Sequence, residues 1–223
     1  VEFVRPTRVG DQLALALDPP NNHILSQAIK SVFDRGFAVF ALILGAPLMA
    51  LIALGIKLDS RGPVIYRQER TGKDGIPFAI YKFRTMCEDA EDRVGELVGL
   101  SEGSGPLFKM TQDPRVTRFG RFLRQTSLDE LPQLFNVLLG DMALVGPRPA
   151  LESETSQYSQ WVWRRLHVKP GMTGLWQVSG RSNLSWDESI RLDLMYVNNW
   201  NLKMDVAILF RTIGVVLSRK GAW

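Results

Sequence analysis

The chain has 223 residues, enough to bury a sizeable core in one or two domains. Its hydrophobic content of 45% and mean hydropathy of −0.03 are high for a soluble domain but low for a protein built from several membrane spans. A single cysteine, Cys87, excludes an internal disulfide. The net charge of +4 favours anionic partners without choosing among nucleic acid, phosphorylated substrates and an acidic membrane surface.

Residues 1–30 are interpreted as an N-terminal tail that carries no chemistry. The sequence DPPNN at residues 18–22 is a turn or linker signal. Leucines alternate with small or polar residues over residues 13–17, which predicts a short strand. We therefore place the first boundary near residue 30.

The segment 31–57 is predicted to enter a membrane. Twenty residues from Phe37 to Ile56 carry no charge, and as a helix they would span roughly 30 Å, about the thickness of the hydrocarbon layer. Pro47 lies near the middle, where it removes a helical hydrogen bond and predicts a kink. Basic residues flank both ends, so a kinked single span and a hairpin that enters and leaves on one face both stay open.

The next part of the chain predicts strands followed by amphipathic helices. The β-rich runs at 64–66 and 78–81 predict two strands around a turn. Residues 204–218 form one amphipathic helix candidate. Another lies earlier, where arginines recur at every third position with apolar residues between them, which indicates an interfacial helix or an arginine face over an ordinary core. The arginines of this stripe are Arg115, Arg118, Arg121 and Arg124.

The densest group of reactive residues has the sequence RQTSLDELPQL. Asp129 and Glu130 are adjacent carboxylates close to arginine, a combination that can bind Mg²⁺ together with a diphosphate, and a carboxylate can also act as a nucleophile. A structural role fits equally, because Ser127 and Glu130 have the spacing of a helix capping box. Pro132 then suits the first helical turn and Gly140 the helix end. The two interpretations are compatible, since a helix N-terminus itself attracts anions.

Two later motifs add basic residues. In the sequence GPRP, Pro147 and Pro149 flank Arg148 and aim a side chain that binds phosphate as a planar fork, the alternative being a rigid loop with a solvent-facing arginine. The Gly-rich segment 169–181 ends in Arg181 and is by itself weak evidence for phosphate binding. The two histidines share no metal-ligand spacing, so a zinc site is not expected.

Taken together and in this order, the motifs resemble the bacterial sugar transferase family. These are the monotopic polyprenyl-phosphate phosphoglycosyl transferases that begin the assembly of cell-surface glycans. The likeness covers roughly residues 30–223 and is nearest to exopolysaccharide-initiating members, such as undecaprenyl-phosphate glucose or galactose phosphotransferases. The motifs are the apolar segment with Pro47, YKFRTM at 81–86, TSLDELPQ at 126–133, GPRP at 146–149 and KPGMTG at 169–174.

The resemblance implies an α+β, mostly helical fold in a monotopic membrane protein, with a re-entrant membrane helix broken at Pro47 and with interfacial amphipathic helices. It implies a re-entrant helix at 31–57 and a catalytic domain at 58–223, on the cytoplasmic face of the bacterial inner membrane. Residues 1–30 would be the stub of a longer N-terminal region. The family often has Ser-Pro at the break, whereas Ala46 precedes Pro47 here.

The resemblance also implies the reaction, in which a UDP-sugar, expected to be a UDP-hexose, donates its sugar-1-phosphate to undecaprenyl phosphate and UMP is released. The acidic dyad of the family matches Asp129, as nucleophile and metal ligand, and Glu130, as metal ligand or base, with Mg²⁺ as the cofactor. Membrane lipid is an expected partner, nucleic acid is not, and self-association into a homo-oligomer stays open. The residues expected to bind the substrate phosphates are Pro147, Arg148, Arg124, Arg181, Lys82 and Arg84.

Two other functions stay open from the sequence. A membrane diphosphate hydrolase with the same dyad and Mg²⁺ would release sugar phosphate without a lipid acceptor. A non-enzymatic module that binds a membrane surface or nucleic acid would use the arginine stripe. Its binding would persist without Asp129 and fall steeply with salt.

Overall fold

The computed structural model describes residues 4–9, 12–17, 24–97, 99, 110, 112–180 and 184–218. The predicted α+β class with a helical majority is confirmed for these residues. The strands are β1 Val4–Val9, β2 Gln12–Leu17, β3 Ile65–Thr71, β4 Pro77–Phe83, β5 Ala143–Val145 and β6 Gly171–Thr173. The helices are α1 Ile24–Asp59, α2 Val94–Leu97, α3 Arg118–Thr126, α4 Gln133–Leu139, α5 Glu152–Thr155, α6 Leu175–Ser179, α7 Trp186–Asn199 and α8 Leu202–Ser218.

The long helix α1 begins at Ile24, earlier than the predicted boundary at residue 31. A charge cluster holds its first turns on the rest of the protein, because the Nζ atom of Lys30 lies 2.6 Å from an oxygen of Asp205 and 3.3 Å from one of Asp34. Asp34 is one helical turn further along α1, whereas Asp205 belongs to α8. The segment taken from the sequence as the end of a tail is therefore part of the helix.

The helix α1 runs without interruption through Pro47, where the sequence predicted a helix, a break and a second helix. A proline removes one backbone hydrogen bond and crowds the preceding turn, and a long helix absorbs this as a local kink. A change of direction at Pro47 stays a prediction. At 36 residues, α1 would be about 54 Å long if straight, well beyond the hydrocarbon thickness of a bilayer.

Among the described residues, α1 is the one helix that is long and apolar enough to cross a membrane, with a mean hydropathy of 2.6 in its most apolar window. Its buried contacts fall into two groups. Before Pro47, Ala38 packs into the larger hydrophobic core of the protein, and after it, Ile52 and Ile56 pack into a smaller core. None of the residues 39–51 is buried. Ala41 and Leu42 pack partly against the larger core and Met49 against the smaller one. The two halves of α1 therefore contact the same body, and residues 43–48 between them are not among the residues that pack on either core.

The larger core joins α1 to β4, α4, β5, α7 and α8, and the smaller core joins the end of α1 to β4 and α3. Full burial of an isoleucine contributes roughly 1.5–3 kcal/mol and of one methyl group about 0.8 kcal/mol, so Ile52 and Ile56 hold α1 more strongly than Ala38 does. The buried members of the larger core are Ala38, Ile80, Leu134, Val137, Met142, Leu144, Val145, Leu175, Tyr196, Val197, Trp200 and Ile208.

Two small sheets position the rest of the site. The predicted strands form the antiparallel hairpin β3–β4, with Tyr66 opposite Lys82. β5 pairs in parallel with β6, and the two approach so closely that a Cβ atom on Gly171 would lie 2.1 Å from the backbone nitrogen of Gly146. Only glycine fits there. The N–H of Gly171 also donates to the carbonyl of Pro147 at 2.8 Å, which holds the loop after β5 against β6.

The prediction of a single four-arginine stripe is wrong at its first member. α3 begins at Arg118, because Thr117 caps it and its hydroxyl accepts a hydrogen bond from the N–H of Gly120 at 3.0 Å. Arg115 lies in the preceding turn, where it is buried and paired with Asp113 at 2.6 Å. Only the three later arginines belong to the helix.

The second amphipathic helix is confirmed as α8. It carries an exposed apolar stripe of four residues spaced by one turn each, while Asp205 and Ile208 on the other face are buried. Contact of this stripe with lipid stays a prediction. The stripe consists of Val206, Phe210, Ile213 and Leu217.

Candidate active site

The acidic dyad lies in a 3-10 turn, Leu128–Glu130, between α3 and α4. Ser127 directs the chain into this turn by adopting the left-handed conformation, with φ 55° and ψ 18°, and its N–H donates to the carbonyl of Arg124 at 3.1 Å. The Ser127 side chain makes no capping hydrogen bond, so the capping-box interpretation is wrong. α4 begins only at Gln133, and Gly140 ends it at φ 95°, as predicted.

Asp129 and Glu130 sit in different environments although they are adjacent. The Nζ atom of Lys82, on β4, lies 2.7 Å from an oxygen of Glu130. Asp129 is 9% exposed, and within the described part of the chain no cation comes within 4 Å of its carboxylate. Burial raises the pKa of Asp129 to about 6, the Lys82 charge opposes this rise and the Glu130 charge adds to it. The dyad thus combines a neutralised carboxylate with one that is buried and available.

Arg124 borders the dyad from the last turn of α3. Its Nε atom donates to the hydroxyl of Thr85 at 2.9 Å, which orients the guanidinium. Burial lowers the pKa of Arg124, and the negative charge of Asp129 counteracts this. Arg124 is predictable from its place beside the dyad in the sequence. Its contact with Thr85 is not, because only the packing of α3 against the chain after β4 brings the two side chains together.

Arg148 is fixed by a buried network of charges. Its Nη1 atom donates to Glu154 at 3.0 Å, and the Glu154 side chain is 1% exposed and also accepts from the N–H of Leu151 at 3.1 Å. Beneath the loop, Arg165 donates to the carbonyl of Arg148 at 3.1 Å and to Asp193 at 2.5 Å. The sequence did not reveal Glu154, Arg165 and Asp193 as supporting residues, since isolated charged residues at distant positions carry no sign of the buried pairs that they form.

The β3–β4 hairpin connects the dyad to the Arg148 loop. At one end Lys82 holds the dyad through its ion pair. At the other end, the N–H of Thr71 donates to the carbonyl of Ala150 at 2.9 Å, and Nη1 of Arg70 donates to the carbonyl of Pro149 at 3.3 Å. The hairpin thereby brings two motifs that lie about twenty residues apart in the sequence into one site.

One predicted phosphate-binding residue, Arg84, has its described hydrogen bonds away from the dyad. Arg84 donates to the carbonyls of Ser60 and Arg61 and to the Ser60 hydroxyl, which closes the end of α1. None of its described hydrogen bonds involves the dyad, so a direct role of Arg84 in binding the diphosphate stays a prediction. Arg181 lies outside the described residues.

The sequence matches the model of one known protein family. The sequence model described as bacterial sugar transferase matches residues 25–219. The chain belongs to this family. The family predicted from the motifs is therefore confirmed.

This bacterial sugar transferase is similar along most of its length to several named relatives. It is 46% identical over 206 residues to the undecaprenyl-phosphate galactose phosphotransferase of Salmonella typhimurium, a match that covers 89% of this chain and 42% of the relative. It is 38% identical over 208 residues to the UDP-glucose:undecaprenyl-phosphate glucose-1-phosphate transferase of Escherichia coli K12, with the same two coverages. The exopolysaccharide production protein ExoY of Rhizobium meliloti is 40% identical over 198 residues, with 87% of this chain and 88% of the relative covered. The chain thus spans less than half the length of the first two relatives.

The side chains around the dyad fit a magnesium ion only in combination with a substrate. Within the described residues, no group of three or more His, Cys, Asp and Glu side chains could hold a metal ion. Mg²⁺ is commonly bound by one or two carboxylates together with substrate phosphates. Asp129 and Glu130 match that open arrangement, and their hard oxygen atoms suit the ion.

Proposed function

We propose that this sugar transferase moves a sugar-1-phosphate from a UDP-sugar to undecaprenyl phosphate and releases UMP, as the first membrane step of exopolysaccharide assembly. The names of the relatives support the acceptor, because those from Salmonella and E. coli both contain undecaprenyl phosphate. One of these names contains galactose and the other UDP-glucose, so we propose a UDP-hexose as the donor.

The observation that carries this proposal is the state of Asp129. Its carboxylate is buried in a turn, serves no helix as a cap, and has no ion-pair partner within the described residues, whereas its neighbour Glu130 is paired with Lys82. An unpaired buried carboxylate costs free energy, and such groups are concentrated at functional sites. Arg124 borders this carboxylate, and Arg148, on the loop that the β3–β4 hairpin links to the dyad, adds a second guanidinium of the kind that binds phosphate well.

In the proposed first step, an oxygen of Asp129 attacks the donor phosphorus that bears the sugar. The bond from this phosphorus to the oxygen that bridges to the nucleotide breaks, and UMP leaves with the electron pair. Lys82 and Arg124 stabilise the negative charge that accumulates on the phosphoryl oxygens. The product on the enzyme is an aspartyl phosphosugar.

In the proposed second step, a phosphate oxygen of undecaprenyl phosphate attacks the same phosphorus. The bond between Asp129 and phosphorus breaks, the carboxylate is regenerated, and the diphosphate-linked lipid leaves. The bond between the anomeric carbon and its oxygen stays intact throughout, so the anomeric configuration is retained. Two successive displacements allow UMP to depart before the lipid phosphate arrives, which avoids crowding two anionic substrates at one phosphorus.

We propose Mg²⁺ as the cofactor, held by Asp129 and Glu130. When bound, it supplies charge neutralisation of the donor diphosphate. Lys82 keeps Glu130 oriented at this position through the ion pair described above.

The assay that tests this function measures UMP release with a panel of UDP-sugars, with and without undecaprenyl phosphate. We expect multiple turnovers only when the lipid is present, and formation of at most one equivalent of UMP per enzyme without it. Lipid-independent turnover with free sugar phosphate as the product would instead identify the diphosphate hydrolase. Absence of UMP release with every donor would reject both enzymes.

We further propose that α1 enters and leaves the membrane on the cytoplasmic side. Both halves of the helix pack on the same body, through Ala38 before Pro47 and through Ile52 and Ile56 after it. A single span would carry the first half to the opposite face and abolish the Ala38 contacts. The middle of the helix, residues 43–48, packs on neither core and is the part left free to enter the lipid.

Cysteine labelling tests this topology. In a Cys87→Ser background, single cysteines near residue 28 and near residue 60 should both react only with reagent on the cytoplasmic side. Reaction of the site near residue 28 from outside would exclude the re-entrant arrangement. Replacing Pro47 by leucine should favour a straight helix and increase outside labelling.

A further inference from the structure

The β3–β4 hairpin carries a row of polar side chains on one face. Directly opposed residues of an antiparallel pair share a face, as do alternate residues along each strand. By the register of the strands, Tyr66, Gln68 and Arg70 of β3 lie on the same face as Lys82, which is opposite Tyr66. Arg70 stands four residues beyond Tyr66, a distance of about 13 Å along the strand. The row therefore leads from the dyad toward the loop of Arg148.

The guanidinium of Arg70 is incompletely satisfied. Nη1 donates to the carbonyl of Pro149 at 3.3 Å and Nη2 to the side-chain oxygen of Gln68 at 2.5 Å, while Nε is buried without a hydrogen-bond partner. In the described part of the chain no carboxylate lies within 4 Å of it. A guanidinium has five N–H donors, and a buried donor without an acceptor is unfavourable. An additional acceptor would complete this part of the structure.

Arg70 and Arg148 together carry a surplus of positive charge. Burial lowers the pKa of Arg70 to about 10, with the positive charge of Arg148 as the next contribution, while Glu154 and Glu130 oppose this. Glu154 is the buried carboxylate that pairs with Arg148. The two guanidinium groups thus have a single paired carboxylate, Glu154, between them. A phosphate oxyanion between them would satisfy donors on both and neutralise the surplus.

We propose that Arg70 is a further substrate-binding residue, which together with Arg148 holds the phosphate of the nucleotide that leaves as UMP. This assignment rests on the proposed function. The phosphorus under attack must lie against Asp129, and Lys82 serves that end of the hairpin. The second phosphate is joined to that phosphorus through a single oxygen and must lie beside it. The charge of Glu130 acts on Arg70, so the long Arg70 side chain extends its guanidinium back from the Arg148 loop toward the dyad, where it can meet this second phosphate.

The experiment measures binding of UMP and of uridine to the purified full chain by isothermal titration calorimetry, for wild type, Arg70→Gln and Arg70→Lys. The control is Arg67→Gln, on the same strand but on the opposite face, where its guanidinium covers the Tyr81 ring at 5.3 Å. Arg70→Gln should weaken UMP binding about 10- to 100-fold, and uridine binding by less than about twofold. Arg70→Lys should recover part of the UMP affinity, and Arg67→Gln should change neither.

A purely structural role of Arg70 makes a different prediction, because it would act by bracing the Arg148 loop through the carbonyl of Pro149. In an Arg148→Gln background, Arg70→Gln should still weaken UMP binding if both side chains contact the phosphate. Loss of UMP and uridine binding in equal measure, or no further loss in that background, would overturn the direct contact.

The remaining outcomes separate this proposal from the proposed function. Wild-type UMP affinity in Arg70→Gln would overturn the role of Arg70. A wild type that fails to bind UMP at millimolar concentrations would overturn the nucleotide-phosphate site itself. The function is judged independently, by lipid-dependent UMP release from the wild-type enzyme, which involves no Arg70 variant.

Discussion

The turn that holds Asp129 and the loop that holds Arg148 satisfy their charges in opposite ways. The loop is supported by buried pairs, with Glu154 against Arg148 and Asp193 against Arg165. Each of these acids is 2% exposed or less in its side chain. The loop therefore presents a charged group whose position is determined before any substrate arrives.

The turn leaves its central group unpaired. Lys82 binds Glu130, and the carboxylate of Asp129 has no cation within 4 Å among the described residues. A nucleophile needs this freedom, because one of the two carboxylate oxygens must stay open to attack the phosphorus. The comparison indicates that changes beneath the loop should chiefly cost stability, whereas changes in the turn should chiefly cost activity.

The largest effect is expected for Asp129→Asn. Loss of the nucleophile should reduce lipid-dependent UMP release by at least about 10³-fold. The variant should be at least as stable to unfolding as the wild type, because the substitution is nearly isosteric, breaks no ion pair and removes a buried unpaired charge. Wild-type enzyme given labelled UDP-sugar without lipid should form a sugar-phosphate adduct on the peptide with Asp129. Asp92→Asn, at an exposed carboxylate, is the matched control, and near-normal turnover of Asp129→Asn would reject the covalent mechanism.

Asp193→Ala should lower the stability of the loop that carries Arg148. It leaves the guanidinium of Arg165 buried without its carboxylate, which costs about 3–5 kcal/mol of unfolding free energy. Denaturant unfolding measures this loss. Asp187→Ala, at an exposed position on the same helix, should cost less than about 1 kcal/mol. Equal stability of the two variants would show that the buried pair does not hold the loop.

Arg148→Lys should lower kcat/KM by about 10- to 100-fold while the protein still folds. Lysine keeps the charge but loses the planar fork that binds two oxygens at once. Steady-state kinetics against the UDP-sugar measure the effect. Arg121→Lys, at an exposed position on α3, serves as the control. Wild-type kinetics of Arg148→Lys would mean that Arg148 only shapes its loop.

The smallest effect is a shift in pH dependence. Because burial raises the pKa of Asp129 to about 6, the carboxylate is protonated below that pH and cannot attack. The value of kcat/KM should fall about tenfold per pH unit below about 6. Removing the neighbouring charge in Glu130→Gln should lower the pKa of Asp129 and move the fall to lower pH. A profile of the wild type that stays flat to pH 5 would contradict this.

Local patterns predicted the elements that local physics controls. The uncharged run became α1, the β-rich runs became the hairpin β3–β4, and Gly140 ended α4 with a positive φ. The prediction of a capping box was wrong because Ser127 adopts the left-handed conformation and ends α3. The spacing between Ser127 and Glu130 does not reveal this conformation. The prediction that Arg115 belongs to the arginine stripe was wrong for a related reason, since the helix begins only after Thr117.

The sequence by itself determined the family, through five motifs in a fixed order, and it determined the dyad and Arg148 as the residues to test. Only the tertiary structure decided which cations accompany them. Lys82 pairs with a carboxylate 48 positions away, Arg84 closes α1, and Arg70 reaches the carbonyl of Pro149 across 79 positions. Spacing along the chain encodes hydrogen bonds within one turn or one strand. Burial and ion pairing depend instead on which elements pack together, and here the packing of α1, the hairpin and the two parallel strands made that choice.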